Sequence, residues 1–268
     1  MLGLLLLLIT GLMLTYILKG YRADIGPEDV LPPYVMTLLL FLYALAILKK
    51  VHHAYFLSLC FFALIFAAFL FLLIRRIKNA QGKLRVDKAL LVNLLKEHAG
   101  FILFLVLCVL VCWCYSTHFV LVWDDFHYNA TFPKNCYTYG TMPTGSHLAT
   151  HYKSYLPLLQ LFFYWGFQGS GFSETLMFDY KMVLIYVLLL PFFKRIPKLK
   201  IASAIALSLI TAILPFLFLY EVQESLSMDT VMGLLFAYAV IGIASEKERD
   251  LIDYYGILVS LLCLTLIK

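Results

Sequence analysis

The residue types best suited to chemistry gather in one polar segment, residues 123–173, between long apolar runs. It opens on the sequence Trp-Asp-Asp-Phe, so Asp124 and Asp125 stand side by side directly after an apolar run, and a third acid, Asp229, begins a later one. Acids from two segments can share a pocket, where one acts as general base toward a hydroxyl and another binds a metal or orients a phosphate. Asp125 and Asp229 are the predicted ligands of any divalent metal, such as Mg or Mn. The alternative for the adjacent acids is that they only mark the water boundary of a helix.

Further polar residues of the same segment suit the binding of a phosphate group. Lys153 is one of only two Lys or Arg residues in the segment, and a lysine ammonium group binds phosphate as a point charge. His127, His151 and Tyr155 would add hydrogen bonds to the same group. Each histidine has the alternative of an ordinary hydrogen bond at a membrane interface.

Three ionisable residues lie at the start of a later apolar run. Glu174 precedes this run, and Asp179 and Lys181 lie just inside it. Ionisable groups within a membrane segment are functional candidates by default, because their burial in lipid is unfavourable. The alternative is that Asp179 and Lys181 neutralise one another near the interface.

The elements that would position these groups are membrane helices. Of 268 residues, 63% are hydrophobic and 14% charged, and the mean hydropathy is +0.89, so no soluble core could bury this much apolar surface and lipid must be the solvent. The sequence predicts an all-α bundle of about eight spans. The predicted spans are 2–18, 34–48, 54–74, 99–122, 175–193, 201–220, 230–245 and 251–267. The formal net charge of +5 lies at the ends of these runs, where it indicates orientation rather than binding of nucleic acid.

The orientation follows from one basic loop. Residues 75–98 carry seven Lys or Arg residues and two acids, so the positive-inside rule makes this loop cytoplasmic and residues 123–173 extracytoplasmic. The next basic cluster, 194–200, must again be inside, which requires that the apolar stretch 156–167 does not cross. We therefore expect this stretch to form an interfacial or re-entrant helix. Counting backwards places Lys and His residues of 49–53 outside, a mild violation of the rule.

The order of these motifs resembles that of the GT-C superfamily of membrane glycosyltransferases. The similarity covers about residues 120–245, is closest to bacterial cell-surface polysaccharide enzymes, and divides the chain into N-terminal spans (1–98) and a GT-C-like module (99–268). The motifs that carry it are Trp123-Asp124-Asp125-Phe126, Tyr155-Leu156-Pro157, Phe172-Ser173-Glu174 and Ser227-Met228-Asp229-Thr230. The chain departs from many relatives, since three spans precede the one that leads into its acidic loop and it ends soon after the second acidic motif.

The resemblance implies a specific activity and specific partners. The donor would be a sugar linked to polyprenyl phosphate, the acceptor a glycan or lipid, and the location the bacterial plasma membrane. Asp124 or Asp125 would be the catalytic base, Asp229 would assist with the metal or donor phosphate, and Lys153 and His151 would hold that phosphate. Two alternatives stay open: a transporter or flippase of a lipid-linked glycan, and a non-catalytic subunit of a polysaccharide assembly complex. A transporter requires polar residues inside several spans, where the sequence offers little beyond Asp179 and Lys181.

Overall fold

The computed structural model describes residues 2–22, 24–79, 98–117, 119–121, 128–140, 157–217, 226, 228–244 and 250–267. Every regular element in these residues is helical, which confirms the all-α prediction for this part of the chain. Two short 3-10 turns, Val51–His53 and Ile196–Lys198, accompany the α-helices. The α-helices are α1 (Leu2–Leu18), α2 (Pro27–Ile47), α3 (Ala54–Asn79), α4 (Ala99–Cys114), α5 (Thr131–Tyr139), α6 (Leu158–Ser170), α7 (Glu174–Phe193), α8 (Ile201–Leu217), α9 (Asp229–Ala244) and α10 (Leu251–Thr265).

Within the described residues, three helical segments are long and apolar enough to cross a membrane. They are Pro27–Ile47, Val51–Lys78 and Glu174–Lys198, and the other apolar helices are shorter, at 10–17 residues. In the segment Val51–Lys78 the most apolar window has 0% of its residues buried inside the protein. So large an exposed apolar surface is stable in lipid rather than in water. The crossing helices agree with the prediction of a membrane protein.

Several helices differ from their predicted bounds for local reasons. α2 begins at Pro27, before the predicted residue 34, because proline suits the first turn of a helix and the Asp29 carboxylate accepts a hydrogen bond from the Gly26 N–H at 2.9 Å. α4 ends at Cys114, before the predicted residue 122. The hydroxyl residues that follow it compete with the helix for backbone hydrogen bonds.

The core is built around α7. Every residue of 176–190 is buried, and α7 packs against α2, α4, α6, α8 and α9. α6 is buried throughout 158–167 and packs against α1, α2, α5 and α7. At 1.5 Å per residue it is about 20 Å long, too short for a hydrocarbon layer of about 30 Å. A short helix enclosed by protein is what a re-entrant segment requires.

Contacts group the connecting segments at two opposite ends of the bundle. At the first, which we call the Asp29 end, Lys194 Nζ lies 2.6 and 2.5 Å from the two carboxylate oxygens of Asp29, and Arg22 pairs with Asp250. At the other, the Glu174 end, the Gln168 amide donates to the His52 carbonyl at 3.1 Å. These contacts place Asp29, Lys194 and Asp250 at one end and His52 and Gln168 at the other. The side of the membrane that each end faces stays a prediction.

The ion pair of Arg22 and Asp250 joins the α1–α2 connection to the start of α10. Asp250 also caps α10 by accepting hydrogen bonds from the Ile252 and Asp253 N–H groups at 3.0 and 2.9 Å. Burial opposes ionisation of this carboxyl, but the Asp253 N–H and the Arg22 guanidinium outweigh it and lower the pKa of Asp250. The charged form of Asp250 is therefore favoured by folding.

Replacing Asp250 by Asn tests this contribution to stability. Asparagine caps a helix about as well as aspartate, so Asp250→Asn removes the charge and keeps the cap. We expect the free energy of unfolding at pH 7 to fall by about 1 kcal/mol. Because the folded-state pKa is lowered, the contribution is present above the ordinary value near 3.9 and is lost as the pH falls below it. Thermal unfolding in detergent should show that Asp250→Asn is less stable than the unsubstituted chain at pH 7. The difference in stability between the two proteins should be smaller at pH 3.

The matched control is Asp24→Asn, because Asp24 also pairs with Arg22 but its side chain is 63% exposed. Exposed pairs contribute little, so this variant should unfold like the unsubstituted chain. The role assigned to the pair of Arg22 and Asp250 would be contradicted by equal losses of stability in the two variants. A loss of stability in Asp250→Asn that does not change with pH would contradict it too.

Candidate functional site

Gln160 on α6 connects the two segments that carry the candidate acids. Its side chain is fully buried, and its Nε2 donates a hydrogen bond to Asn129 Oδ1 at 2.8 Å. The same Nε2 lies 3.9 Å from the sulfur of Met228. Asn129 is four residues after Asp125, and Met228 directly precedes Asp229. The two acid-bearing segments, far apart in sequence, therefore approach one another at the first turn of α6.

A second contact ties the start of the polar segment to the bundle. The Val120 N–H donates a hydrogen bond to Glu174 Oε2 at 3.0 Å, and Val120 precedes Asp124 by four residues. Glu174 is the first residue of α7. The carboxylate proposed from sequence as a functional group thus acts here as an anchor, holding the backbone just before the acidic pair against the central helix.

Most of the predicted site residues lie outside the described residues. These are Asp124, Asp125, His127, His151, Lys153 and Tyr155. Asp229 is described: it is the first residue of α9 and is exposed. An acid in this position also interacts favourably with the positive end of the helix dipole, which is an alternative structural role.

Asp179 and Lys181 are both buried in α7, with side chains 3% and 0% exposed. No ion pair joins them, because residues two apart on a helix point in different directions. The idea that they neutralise one another is therefore wrong. The Asp179 Oδ1 is instead buried without a hydrogen-bond partner.

A short helix that the sequence patterns did not predict, α5, packs on α6 beside this site. Tyr137 of α5 meets Phe167 of α6 edge to face, with ring centroids 6.1 Å apart. The Lys134 ammonium lies 5.4 Å above the ring of Phe172, at the distance of a cation–π contact. Gly140 ends the helix with φ at 68°, a conformation that glycine adopts without strain. This glycine, placed directly after the nine residues Thr131–Tyr139, is the sequence signal for the end of α5.

Metal binding receives no support from the described residues. Among them, no group of three or more His, Cys, Asp or Glu side chains is arranged to hold an ion. Of the two predicted ligands, only Asp229 belongs to this part of the chain, so a metal shared with Asp125 stays a prediction.

Gln160 is the residue that sequence reasoning missed. It is the only amide in the apolar stretch 156–167, and a single amide within a buried helix needs hydrogen-bond partners from other segments. The position of this lone amide in an apolar stretch therefore indicated, from sequence, a buried polar contact. The sequence did not indicate which residue is the partner of Gln160, because Asn129 stands out there only as part of an Asn-Ala-Thr sequon.

Comparisons with known proteins find no relative. No protein-family model matches the chain, and no curated protein or solved structure matches it either. The likeness to GT-C enzymes therefore rests on the order of the motifs and on the predicted topology.

Proposed function

We propose that this chain is a multi-pass membrane glycosyltransferase of GT-C type. It would transfer a sugar from a polyprenyl-phosphate carrier to a glycan or lipid acceptor at the outer face of a bacterial plasma membrane. The eight apolar helices would all cross the membrane, and α6 would enter it from the outer face without crossing. The Glu174 end would be extracytoplasmic and the Asp29 end cytoplasmic.

One observation supports the proposal above the others. Gln160 contacts both Asn129 and Met228, so a single buried side chain lies between the segment that follows Asp125 and the segment that begins at Asp229. A two-acid site needs such convergence, and spacing along the chain alone gives no reason to expect it. The Glu174 anchor on Val120 supports the same arrangement by holding the other flank of the acidic pair at the same end.

In the proposed reaction, Asp124 or Asp125 removes the proton of an acceptor hydroxyl. The hydroxyl oxygen forms a bond to the anomeric carbon of the sugar, and the bond from that carbon to the phosphate oxygen breaks. Polyprenyl phosphate leaves with the bonding electrons. Lys153 and His151 would stabilise the negative charge that grows on the phosphate, and Asp229 would orient it directly or through a metal. A carrier dissolved in the membrane explains a site at the membrane boundary.

The direct test measures sugar transfer and, in a separate experiment, the proximity of residues 125 and 229. Membranes that contain the chain should transfer labelled sugar from a polyprenyl-phosphate donor, and should not use a nucleotide-sugar donor. Independently, Asp125→Cys with Asp229→Cys should be joined by a short bifunctional thiol reagent, in a chain whose exposed Cys60 and Cys114 are replaced. Absence of both transfer and crosslinking would overturn the proposal.

A matched pair controls the crosslinking experiment. Asp253 lies near the start of α10, at the Asp29 end. Asp229 is the first residue of α9 and lies toward the opposite end of the bundle. α9 has 16 residues, and at 1.5 Å per residue its ends are about 22 Å apart. Asp229→Cys with Asp253→Cys should therefore stay unlinked by the same reagent.

A specific observation also favours the transporter alternative. Asp179 and Lys181 are buried within α7, and buried ionisable groups in membrane helices often mark a transport pathway. Flux of a labelled lipid-linked glycan across proteoliposomes separates the two functions. Flux without transfer would favour the transporter, and transfer without flux favours the enzyme.

A further inference from the structure

A second cavity lies apart from the Gln160 contacts, between α1, α4 and α7. Its volume is about 770 Å³, which is within the range of pockets that hold ligands. Most of its wall is apolar and includes Leu8, Val109 and Val183. Val109 is 69% exposed on the outer surface of α4, so the cavity opens sideways toward the surrounding lipid. This shape suits a hydrocarbon chain that enters from the membrane.

The cavity has one charged side chain on its described wall. Asp179 borders the cavity and is 3% exposed, and its buried Oδ1 has no hydrogen-bond partner. Among the described residues that border the cavity, none is Lys, Arg or His. A buried carboxylate oxygen without a partner is strongly unfavourable unless a cation or hydrogen-bond donor reaches it. An occupant with a cationic hydrogen-bond donor would satisfy this oxygen.

The polar groups of the cavity lie toward one end. Ser116, Ser173 and Thr175 contribute hydroxyl groups at the Glu174 end, and Asp179 lies five residues into α7, about 7.5 Å deeper. Trp113, also on the wall, is 73% exposed, as tryptophan often is where a membrane helix reaches the interface. The headgroup of a lipid would lie at this end and its hydrocarbon chain along the apolar wall.

We propose that this cavity binds a membrane lipid whose headgroup carries a primary ammonium group, of the phosphatidylethanolamine type. The ammonium group donates a charge-assisted hydrogen bond to Asp179 Oδ1, the serine and threonine hydroxyls contact the polar part of the headgroup, and one acyl chain fills the apolar groove. The inference depends on the membrane location of the chain and not on transferase activity.

Lipid competition tests the assignment. The purified chain is equilibrated with equal amounts of phosphatidylethanolamine, phosphatidylcholine and phosphatidylglycerol, and bound lipid is counted by native mass spectrometry. Phosphatidylethanolamine should bind roughly tenfold more tightly than phosphatidylglycerol, since a hydrogen bond to a charged group has about that strength. Phosphatidylcholine, whose ammonium has no N–H, should bind more weakly than phosphatidylethanolamine. Equal binding of all three lipids would overturn the proposal.

Two variants locate the preference. Asp179→Asn should abolish the preference for phosphatidylethanolamine, whereas Asp253→Asn at the Asp29 end should retain it.

Val109→Trp fills the mouth of the cavity from an exposed position, where it does not disturb the core. This variant should lower phosphatidylethanolamine binding even if Asp179→Asn does not fold. A diazirine on the acyl chain should crosslink to peptides of α1, α4 or α7. An undiminished preference in Asp179→Asn, or undiminished binding in Val109→Trp, would place the lipid elsewhere and refute the site.

Discussion

Replacing the catalytic base, which is Asp124 or Asp125, by Asn should lower the rate of sugar transfer from a polyprenyl-phosphate donor by about 100-fold or more. Asp229→Asn should also lower this rate, because it removes the charge that orients the donor phosphate directly or through a metal. Loss of a general base costs 10²–10⁴ in rate in typical enzymes, because the acceptor hydroxyl then keeps its proton in the transition state. Asparagine has nearly the size and shape of aspartate, so the change removes charge without creating a cavity. The rate is measured in membranes at saturating donor. Asp124→Asn, tested beside Asp125→Asn, identifies which acid is the base, because only one of the two should show the full loss.

The control for this series is an acid at the opposite end of the bundle. Asp253→Asn makes the same chemical change beside Arg22, where the Asp253 carboxylate lies 3.7 Å from the guanidinium. It should leave transfer unchanged at a temperature where the variant is folded. If all three of Asp124→Asn, Asp125→Asn and Asp229→Asn retain activity, the assignment of these acids to catalysis is refuted, and a non-catalytic function becomes the better interpretation.

Hydrophobicity predicted the helical elements well, because each apolar run had to satisfy its backbone internally. The predicted runs 2–18 and 175–193 correspond to α1 and α7 with bounds that differ by at most one residue. Hydrophobicity failed where polar residues continue a helix. The first turn of α2 contains Glu28 and Asp29, and a window that scores hydrophobicity excludes both. Capping interactions rather than hydrophobicity determine where that helix begins.

The role of individual polar residues was less predictable than the helices. Glu174 was expected as a functional group in its own right, and it instead accepts the Val120 N–H. Mutual neutralisation of Asp179 and Lys181 was one of two interpretations, and the direction of side chains on a helix separates the two residues. Such roles depend on which segments meet in space, and a single sequence does not contain that information. Only the residue type, a buried ionisable or amide group, indicated that each position needed a partner.

The grouping of loops at two ends explains how a small chain could build a site from distant segments. Central α7 begins at Glu174 and ends beside Lys194, so it carries an anchor at each end of the bundle. At one end Lys194 holds Asp29, and at the other Glu174 holds the backbone before the acidic pair. α6 lies beside α7, and its first turn contacts Asn129 and Met228. Packing around α7 therefore brings together segments that neighbour the candidate acids but are distant in sequence.

The contact between α4 and α7 tolerates little added volume at Gly100. A Cβ on Gly100 would lie 2.0 Å from the carbonyl oxygen of Phe193, the last residue of α7. Since the obstacle is backbone, no change of rotamer relieves it, and α4 must move away from α7. Gly100→Val should lower the free energy of unfolding by about 3 kcal/mol, the upper part of the usual range for overpacking. Thermal unfolding in detergent measures the loss.

Gly233→Ala is the matched control, because a Cβ on Gly233 meets nothing within 4 Å. Gly233 lies inside α9, where alanine is the better helix former by about 1 kcal/mol, so this variant should unfold at the same temperature as the unsubstituted chain or higher. Equal midpoints for Gly100→Val and the unsubstituted chain would show that α4 does not pack closely on α7. The close contact matters beyond stability, because α4 leads directly to Val120 and the acidic pair. A displaced α4 would pull Val120 from Glu174, so Gly100→Val should also reduce transfer at temperatures where the variant is still folded.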